Sequence, residues 1–436
     1  MSAKVLKKNF IQVFEHQKVT TDAGKHSLPK SKTCSGKFDA GLLKEFEKYH
    51  ERTDTPFFKL IRNGVQFTSY VGAIRIGNTT IEVLPKADRT SGKEDSEEKE
   101  KWHHILLDML KTCHLLEAKQ SGEANLKLKT NSIFELYFEL FVNEIEQLIR
   151  QGLIKKYRKK EGNRTALKGA LVFSQQLSKN LIHKERFYVR YNDYNQNHQI
   201  HQILHEALLV IQQLNSSSLL SDRIGRLLLH FPEVNRLKVN AKTFEKITTN
   251  RKNKPYTLAL QIAELILLNL RPDIRSGSRD LIAIMFDMNV LWEEYVYRIL
   301  RRYKEPEWEV SAQQSKNFWD NITARPDVVL KRKTSDTEET YIIDTKWKLV
   351  EANKPSVDDL RQIFAYNHLW KSTKSLLLYP GVGKKEAKEF INYTSSGFAI
   401  EQDVHGCKVG FINVLDYHSN NKKGLVDDIL KKLEKY

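Results

Sequence analysis

The tightest constraint on what this chain can fold into is the segment Tyr341-Ile342-Ile343-Asp344-Thr345-Lys346-Trp347, preceded by Arg325-Pro326-Asp327. Successive side chains on a strand point to opposite faces, so Ile342, Asp344 and Lys346 share one face and Ile343, Thr345 and Trp347 the other. A carboxylate and an ammonium then project side by side from an otherwise apolar strand. Asp327 opens a second strand, Val328-Val329-Leu330, and the polar run 331–340 (KRKTSDTEET) reads as the connection between the two. If the strands pair, Asp327 and Asp344 come together. Two carboxylates and a lysine at one strand end suit a magnesium-dependent phosphodiesterase, because magnesium takes oxygen ligands from one or two carboxylates, waters and substrate phosphate. The lysine would orient water or offset developing negative charge. The competing reading is an exposed hairpin carrying an Asp–Lys surface pair.

Flanking segments supply context. Asp359 to Tyr366 (DLRQIFAY) has helical apolar spacing, which stacks Gln362 and Tyr366 on one face. Phe286 to Val296 (FDMNVLWEEYV) reads as the start of an amphipathic helix capped by Asp287 or Asn289. Glu293 on that helix is a further candidate metal ligand, or else a solvated glutamate like its neighbour Glu294.

Lysine and arginine number 71 against 54 aspartates and glutamates, a formal charge of +17, which favours a polyanionic partner such as DNA. Cys34, Cys113 and Cys407 are isolated and odd in number, which argues against a disulfide framework or a CxxC zinc site and suits a reducing cytoplasm. The first residues lack a signal-peptide core and no run approaches a transmembrane length, so a cytoplasmic protein without a membrane partner is expected.

The 436 residues suggest an α+β multidomain chain. A β-rich N-terminal domain is expected over 1–101, with strand patterns at 10–14, 66–71, 72–77 and 79–85, a turn at Asn78 and one helix at 40–50. The run 88–101 contains no apolar residue and reads as a mobile loop. A mainly helical middle domain is expected over 102–275, with helical spacing at 102–110, 133–151, 198–214 and 256–270. The region 276–436 alternates helix and strand, as an α/β core with a mixed sheet should.

Three further patterns invite chemical readings. His198, His201 and His205 share a helix face, yet no fourth zinc ligand is evident nearby, and histidines on helix faces are common. The basic run Lys155 to Lys160, with Arg150 and Arg164, reads as either a DNA-backbone contact or a solvated loop. Gly381 to Lys385 lacks the spacing of a phosphate-binding loop, and no Walker motif occurs, so no nucleotide is expected to bind this chain.

Taken together, FDMNVLWEEYV (286–296), RPDVVL (325–330), YIIDTKWK (341–348), DLRQIFAY (359–366) and Leu377-Leu378-Tyr379-Pro380 resemble the McrC family, the nuclease subunit of McrBC-type modification-dependent restriction systems. Weaker similarity extends over about the last 370 residues, through the run 72–86 (GAIRIGNTTIEVLPK) and the segment 193–204. The resemblance implies a PD-(D/E)xK restriction-endonuclease-like core over 276–436. It assigns Asp327, Asp344 and Lys346 as the catalytic trio, Asp327, Asp344 and Glu293 as metal ligands for magnesium or manganese, and Gln362 and Tyr366 as supporting or DNA-binding residues. Tryptophan at 292 and threonine at 345 stand where the family commonly has phenylalanine and alanine, with no change of chemistry expected. The resemblance also implies an McrB-like AAA+ GTPase ring as partner, contacted by the N-terminal domain and stimulated in its GTP hydrolysis by this chain, with Arg75 and Lys86 as candidate contact residues. The ring would supply recognition of modified cytosine. Two other readings are a RecB-like nuclease of repair or defence, and a non-catalytic adaptor that activates a partner NTPase.

Overall fold

In the computed structural model, residues 9–21, 38–52, 56–76, 79–86, 96–113, 115, 132–215, 217–248, 250–271, 281–333, 338–348, 350, 354–381, 390–393, 405–417 and 421–434 are described. The expected turn at Asn78, Cys34, most of the 88–101 run, and Val382 to Lys385 lie outside them. The chain forms two compact units, one built from 1–124 and 285–436, the other from 125–284.

The first unit begins with β1 (Asn9–Phe14), β2 (Lys18–Thr20), α1 (Ala40–Arg52), β3 (Phe58–Ile61), β4 (Gly64–Phe67), β5 (Tyr70–Ile76) and β6 (Thr79–Leu84). β1 pairs parallel with β6, β6 pairs antiparallel with β5, and β2-β4-β3 form a separate antiparallel sheet. Phe46 of α1 packs edge-on to Phe58 and Phe67, which seats the helix on that small sheet. The next helix, α2 (Ser96–Thr112), corrects the mobile-loop expectation for 96–101. Glu97 and Glu98 in its first turn complement the helix dipole, and the helix runs on into the buried face of Trp102, Leu106 and Leu110.

The second unit holds α3 (Ile133–Gln151), β7 (Lys156–Arg164), β8 (Ala170–Leu171), α4 (Phe173–Asn180), β9 (Phe187–Asn195), α5 (Gln199–Leu214), α6 (Ser218–His230), α7 (Ala241–Glu245) and α8 (Thr257–Asn269). Helices α3, α5, α6 and α8 bury Phe141, Ile145, Leu204, Leu208, Ile224 and Ile262 against one another. The three-stranded sheet β7-β9-β8 is an addition to the helical expectation. Strand β7 (KYRKKEGNR) is almost wholly exposed, so it lacks the apolar alternation by which a half-buried strand is read. Cross-strand pairs of Lys160 with Asp193 and Arg190 with Glu161, and the Tyr157–Tyr194 ring pair, hold it instead. The basic run at 155–160 therefore lies on an extended ribbon. β10 (Leu270–Arg271) then pairs with the start of β11 (Leu281–Asp287).

The rest of the first unit comprises α9 (Met288–Tyr303), β12 (Trp308–Ala312), β13 (Lys316–Trp319), β14 (Ile322–Ala324), β15 (Val328–Lys333), β16 (Glu338–Thr345), α10 (Val357–Trp370), β17 (Lys374–Pro380), β18 (Ile391–Asn392), β19 (Gly406–Ile412) and α11 (Lys422–Glu434). Six strands form a mixed sheet in the order β12-β15-β16-β17-β19-β18, with β16-β17-β19 parallel and the outer pairs antiparallel. Helix α10 makes the crossover between parallel β16 and β17. It packs Ile363, Tyr366 and Trp370 on Val329, Ile342 and Leu377, while α9 and α11 contact other parts of the sheet. β15 and β16 reach into the polar 331–340 run, where Lys331 meets Glu338 at 2.6 Å and Lys333 meets Glu309 at 3.1 Å. Among the described residues no helix is long and apolar enough to cross a membrane. Cys113 and Cys407 are buried free thiols.

One buried carboxylate joins the two stretches of this unit. Oε1 of Glu15, just past β1, accepts the Lys86 backbone N–H at 2.8 Å and the Trp347 indole N–H at 2.6 Å. Burial pushes Glu15 up to about 8, against the pull of those two donors. A raised acid is best accommodated while protonated, so its contribution to stability is full below the usual carboxylate range and falls as pH climbs through about 8. Glu15→Ala is expected to cost about 2–4 kcal/mol in urea unfolding, since it orphans two donors. Glu15→Gln, which keeps the acceptor, should flatten the fall in stability between pH 5 and about 8.

Candidate functional site

The β15–β16 register pairs Val328 with Ile343 and Val329 with Ile342. One further step sets Asp327 opposite Asp344, on the face that carries Val329 and Ile342 toward α10. The predicted strands thus pair, and the two acids converge. Asp344 is fully buried. Lys346 Nζ stands 2.7 Å from Asp344 Oδ2 as an ion pair, but neither Asp344 oxygen receives an aligned hydrogen bond. Asp327 Oδ2 accepts from the Thr345 backbone N–H at 2.7 Å and from its hydroxyl at 2.9 Å. The threonine at 345 therefore changes more than expected, because its hydroxyl helps fix the first carboxylate.

Lys346 is anchored from the helix side. Its Nζ donates to Gln362 Oε1 at 3.2 Å, Gln362 Nε2 donates to the Tyr366 hydroxyl at 2.7 Å, and that hydroxyl donates to the Arg325 carbonyl at 3.0 Å. The four-residue spacing of Gln362 and Tyr366 makes this chain possible, and a Ser356–Asp359 capping box sets the start of α10. Lys348, absent from the sequence expectations, pairs with Asp359 at 2.6 Å, and Tyr379 donates to the same carboxylate at 3.2 Å. It stands two residues beyond Lys346 in the segment just past the end of β16, and that spacing was a usable signal.

Glu293 sits in α9, whose N-terminus Asp287 caps by accepting the Asn289 N–H at 2.9 Å. Glu293 Oε1 accepts from Gln313 Nε2 at 2.9 Å. Among the described residues no three His, Cys, Asp or Glu side chains are grouped closely enough to hold one ion, so the site rests on the Asp327–Asp344 pair with Glu293 beside it. Arg75 lies on β5 opposite Thr80. Lys86 is a packed residue rather than an exposed tip: its ammonium stands 4.5 Å over the Phe14 ring and 3.7 Å from Glu98. The three histidines are core groups. His198 Nε2 meets the Ile154 carbonyl at 3.2 Å, His201 meets the Gln196 carbonyl at 2.8 Å, and burial holds all three below the usual histidine range.

Charge at the site is under tension. Burial raises Asp344, and the facing Asp327 carboxylate raises it further, against the Lys346 ammonium. Burial likewise raises Asp327, opposed by the Thr345 donors. Burial opposes the charged form of Lys346, yet Asp344 holds it above its usual range. Burial and then Asp327 raise Glu293. The two buried Asp344 oxygens, with the Lys346 ammonium beside one of them and a second carboxylate opposite, form a donor set suited to a hard divalent cation.

The family model described as McrBC 5-methylcytosine restriction system component matches residues 65–380. The refined half-complex from a tetradecameric assembly of Thermococcus gammatolerans McrB AAA+ hexamers with bound McrC contains a chain of similar fold. The TM-score is 0.67 at 17% identity, covering 97% of this chain and 99% of that one. The cryo-EM structure of the Thermococcus gammatolerans McrBC complex matches with TM-score 0.50 at 19% identity, over 67% of this chain and 88% of that one. No curated protein matches.

With no cation present, the raised pair is most stable protonated, and that stability is lost as pH rises through its elevated range. Asp344→Asn is therefore expected to raise the metal-free unfolding free energy at pH 8 by about 1–3 kcal/mol, because it removes one of two buried carboxylates that face each other across a single lysine. Parallel urea titrations at pH 5 and pH 8 check this. A variant less stable than the parent at pH 8 would count against charge tension at this site.

Proposed function

Because this chain belongs to the McrBC 5-methylcytosine restriction system component family, we propose that it is the DNA-cleaving subunit of a GTP-dependent restriction complex directed at modified cytosine. The observation that carries the reading is the register that sets Asp327 against Asp344 with Lys346 alongside, the constellation of a PD-(D/E)xK nuclease. The mixed sheet with α10 crossing between β16 and β17 is the scaffold such a site needs.

Asp327 and Asp344 would hold magnesium, with Glu293 as the adjacent third carboxylate. A bound magnesium ion would polarise the scissile phosphate and make a water nucleophilic near neutral pH. Thr345 fixes the Asp327 carboxylate, leaving its orientation independent of substrate. Lys346, held between Asp344 and Gln362, presents a fixed positive charge where negative charge grows on the phosphate. Tyr366 clamps Gln362 to the Arg325 carbonyl, so helix and strand carry the lysine jointly.

The partner is an McrB-like AAA+ GTPase ring, as the description of the similar complexes suggests. In this reading the β-rich region at 1–101 contacts the ring, with Arg75 among the contact residues and Lys86, packed on Phe14 and Glu98, supporting the surface from beneath. GTP binding and recognition of the modified base belong to the ring, in the cytoplasm.

Asp344→Ala or Lys346→Ala is expected to lower cleavage of methylated plasmid by the reconstituted complex on the order of 10²-fold or more. Stimulation of the partner's GTP hydrolysis by Asp344→Asn should persist. Undiminished cleavage by a folded Asp344→Ala chain would end the proposal. In a separate measurement without DNA, millimolar magnesium should raise the melting temperature, and more at pH 8 than at pH 6, because the cation displaces protons from the raised carboxylates. Chelation, or Asp344→Asn, should abolish that rise.

A further inference from the structure

The hairpin β13–β14 lies in the chain directly before Asp327. Strand β12 ends at Ala312, opposite Val328, so residues 313–326 continue the β12–β15 pair past the catalytic end of the sheet. The base of the excursion is tied to the site: Gln313 donates its N–H to the Asp327 carbonyl at 3.3 Å and its side-chain amide to Glu293 at 2.9 Å. Lys316 Nζ donates to the Leu369 carbonyl of α10 at 2.7 Å and stands 4.8 Å over the Trp370 ring. The Tyr366 hydroxyl holds the other end at the Arg325 carbonyl. The root is thus anchored on the helix that positions Lys346.

The far end is unlike the root. Trp319 pairs across the turn with Ile322, a bulge displaces Phe318, and the turn passes through Asp320 in the left-handed region at φ 46°. Phe318, Trp319 and Ile322 are 57%, 69% and 55% exposed. Three large apolar side chains on a narrow two-stranded ribbon present far less than the roughly 800 Å² per partner of a stable protein interface. The ribbon carries Lys316 and Arg325 against one acid, Asp320, in a chain of net charge +17. Exposed apolar side chains on a ribbon rooted beside a phosphodiesterase site, with Arg325 at its base, have the form of a wedge for stacked bases, since such wedges unstack a base step while cations nearby hold the backbone.

We propose that Phe318, Trp319 and Ile322 form a wedge that inserts into the DNA duplex beside the scissile phosphate, with Trp319 stacking on a base. This rests on the DNA-cleaving reading above. The wedge would unstack one step and present the phosphate to Asp327, Asp344 and Lys346, which makes the ribbon a substrate-positioning element.

The test uses the full chain in complex with its GTPase partner and a methylated duplex that carries 2-aminopurine at positions around the cut, with calcium replacing magnesium. Wild type should raise 2-aminopurine fluorescence at one step. Trp319→Ala should abolish the rise and weaken binding roughly 10-fold, Trp319→Phe should restore most of both, and stimulated GTP hydrolysis should be unchanged in either. Normal fluorescence, affinity and cleavage with Trp319→Ala and with the Phe318→Ala/Ile322→Ala double variant would overturn the wedge while leaving the nuclease reading intact. Loss of self-association in sedimentation, with DNA binding unaltered, would overturn it in favour of a protein contact. Failure of wild type to bind or cut DNA with its partner active as a GTPase would sink both.

Discussion

The placement of Asp344 governs this structure. A fully buried carboxylate near the end of a central strand, opposite a second carboxylate and with one ammonium as its polar partner, would ordinarily be selected against on stability grounds alone. The surroundings make sense as preparation for a positive charge that arrives later. Lys346 offsets part of the burden from one side, and Thr345 occupies the Asp327 oxygen that faces its backbone. A cation brought in by substrate and solvent would supply the remainder. Such a site would trade folding stability for affinity, a trade common at functional centres.

The supporting network shows how sequence spacing becomes chemistry. Lys346 sits just past the end of β16 and Gln362 and Tyr366 on a helix, and the crossover from β16 through α10 to β17 brings them onto one face. Tyr366 then reaches back to the Arg325 carbonyl, so residues in RPD, DTK and the helix close a ring of contacts around the carboxylates. This closure makes each motif depend on the others for its geometry.

Much of this was legible in the residues. The alternation in 341–347 gave the strand and the face shared by Asp344 and Lys346, and the i,i+4 spacing gave the Gln362–Tyr366 contact. Family membership inferred from those motifs agrees with the match over 65–380. What stayed hidden has a common cause. The strand β7 and the hairpin β13–β14 are exposed on both faces, so neither carries the period-two apolar pattern that marks a strand. The helical start at 96–101 was masked by a lack of apolar residues, although its acidic first turn suits a helix N-terminus. Thr345 and Glu15 act through hydrogen bonds to distant residues, and no local pattern in one sequence reports such pairings.

The division into units has a consequence for biosynthesis. The stretch 125–284 is continuous, and its helices can close on one another once they leave the ribosome. The other unit joins 1–124 to 285–436, and Glu15 meets Trp347 only after more than three hundred further residues have been made. Its early strands can pair with one another, β1 with β6, β6 with β5, and β2 and β3 with β4, while the open side of β5 waits for β11. The Asp327–Asp344 pair and its Lys346–Gln362–Tyr366 support come wholly from the later stretch, so that cluster is assembled only near the end of synthesis.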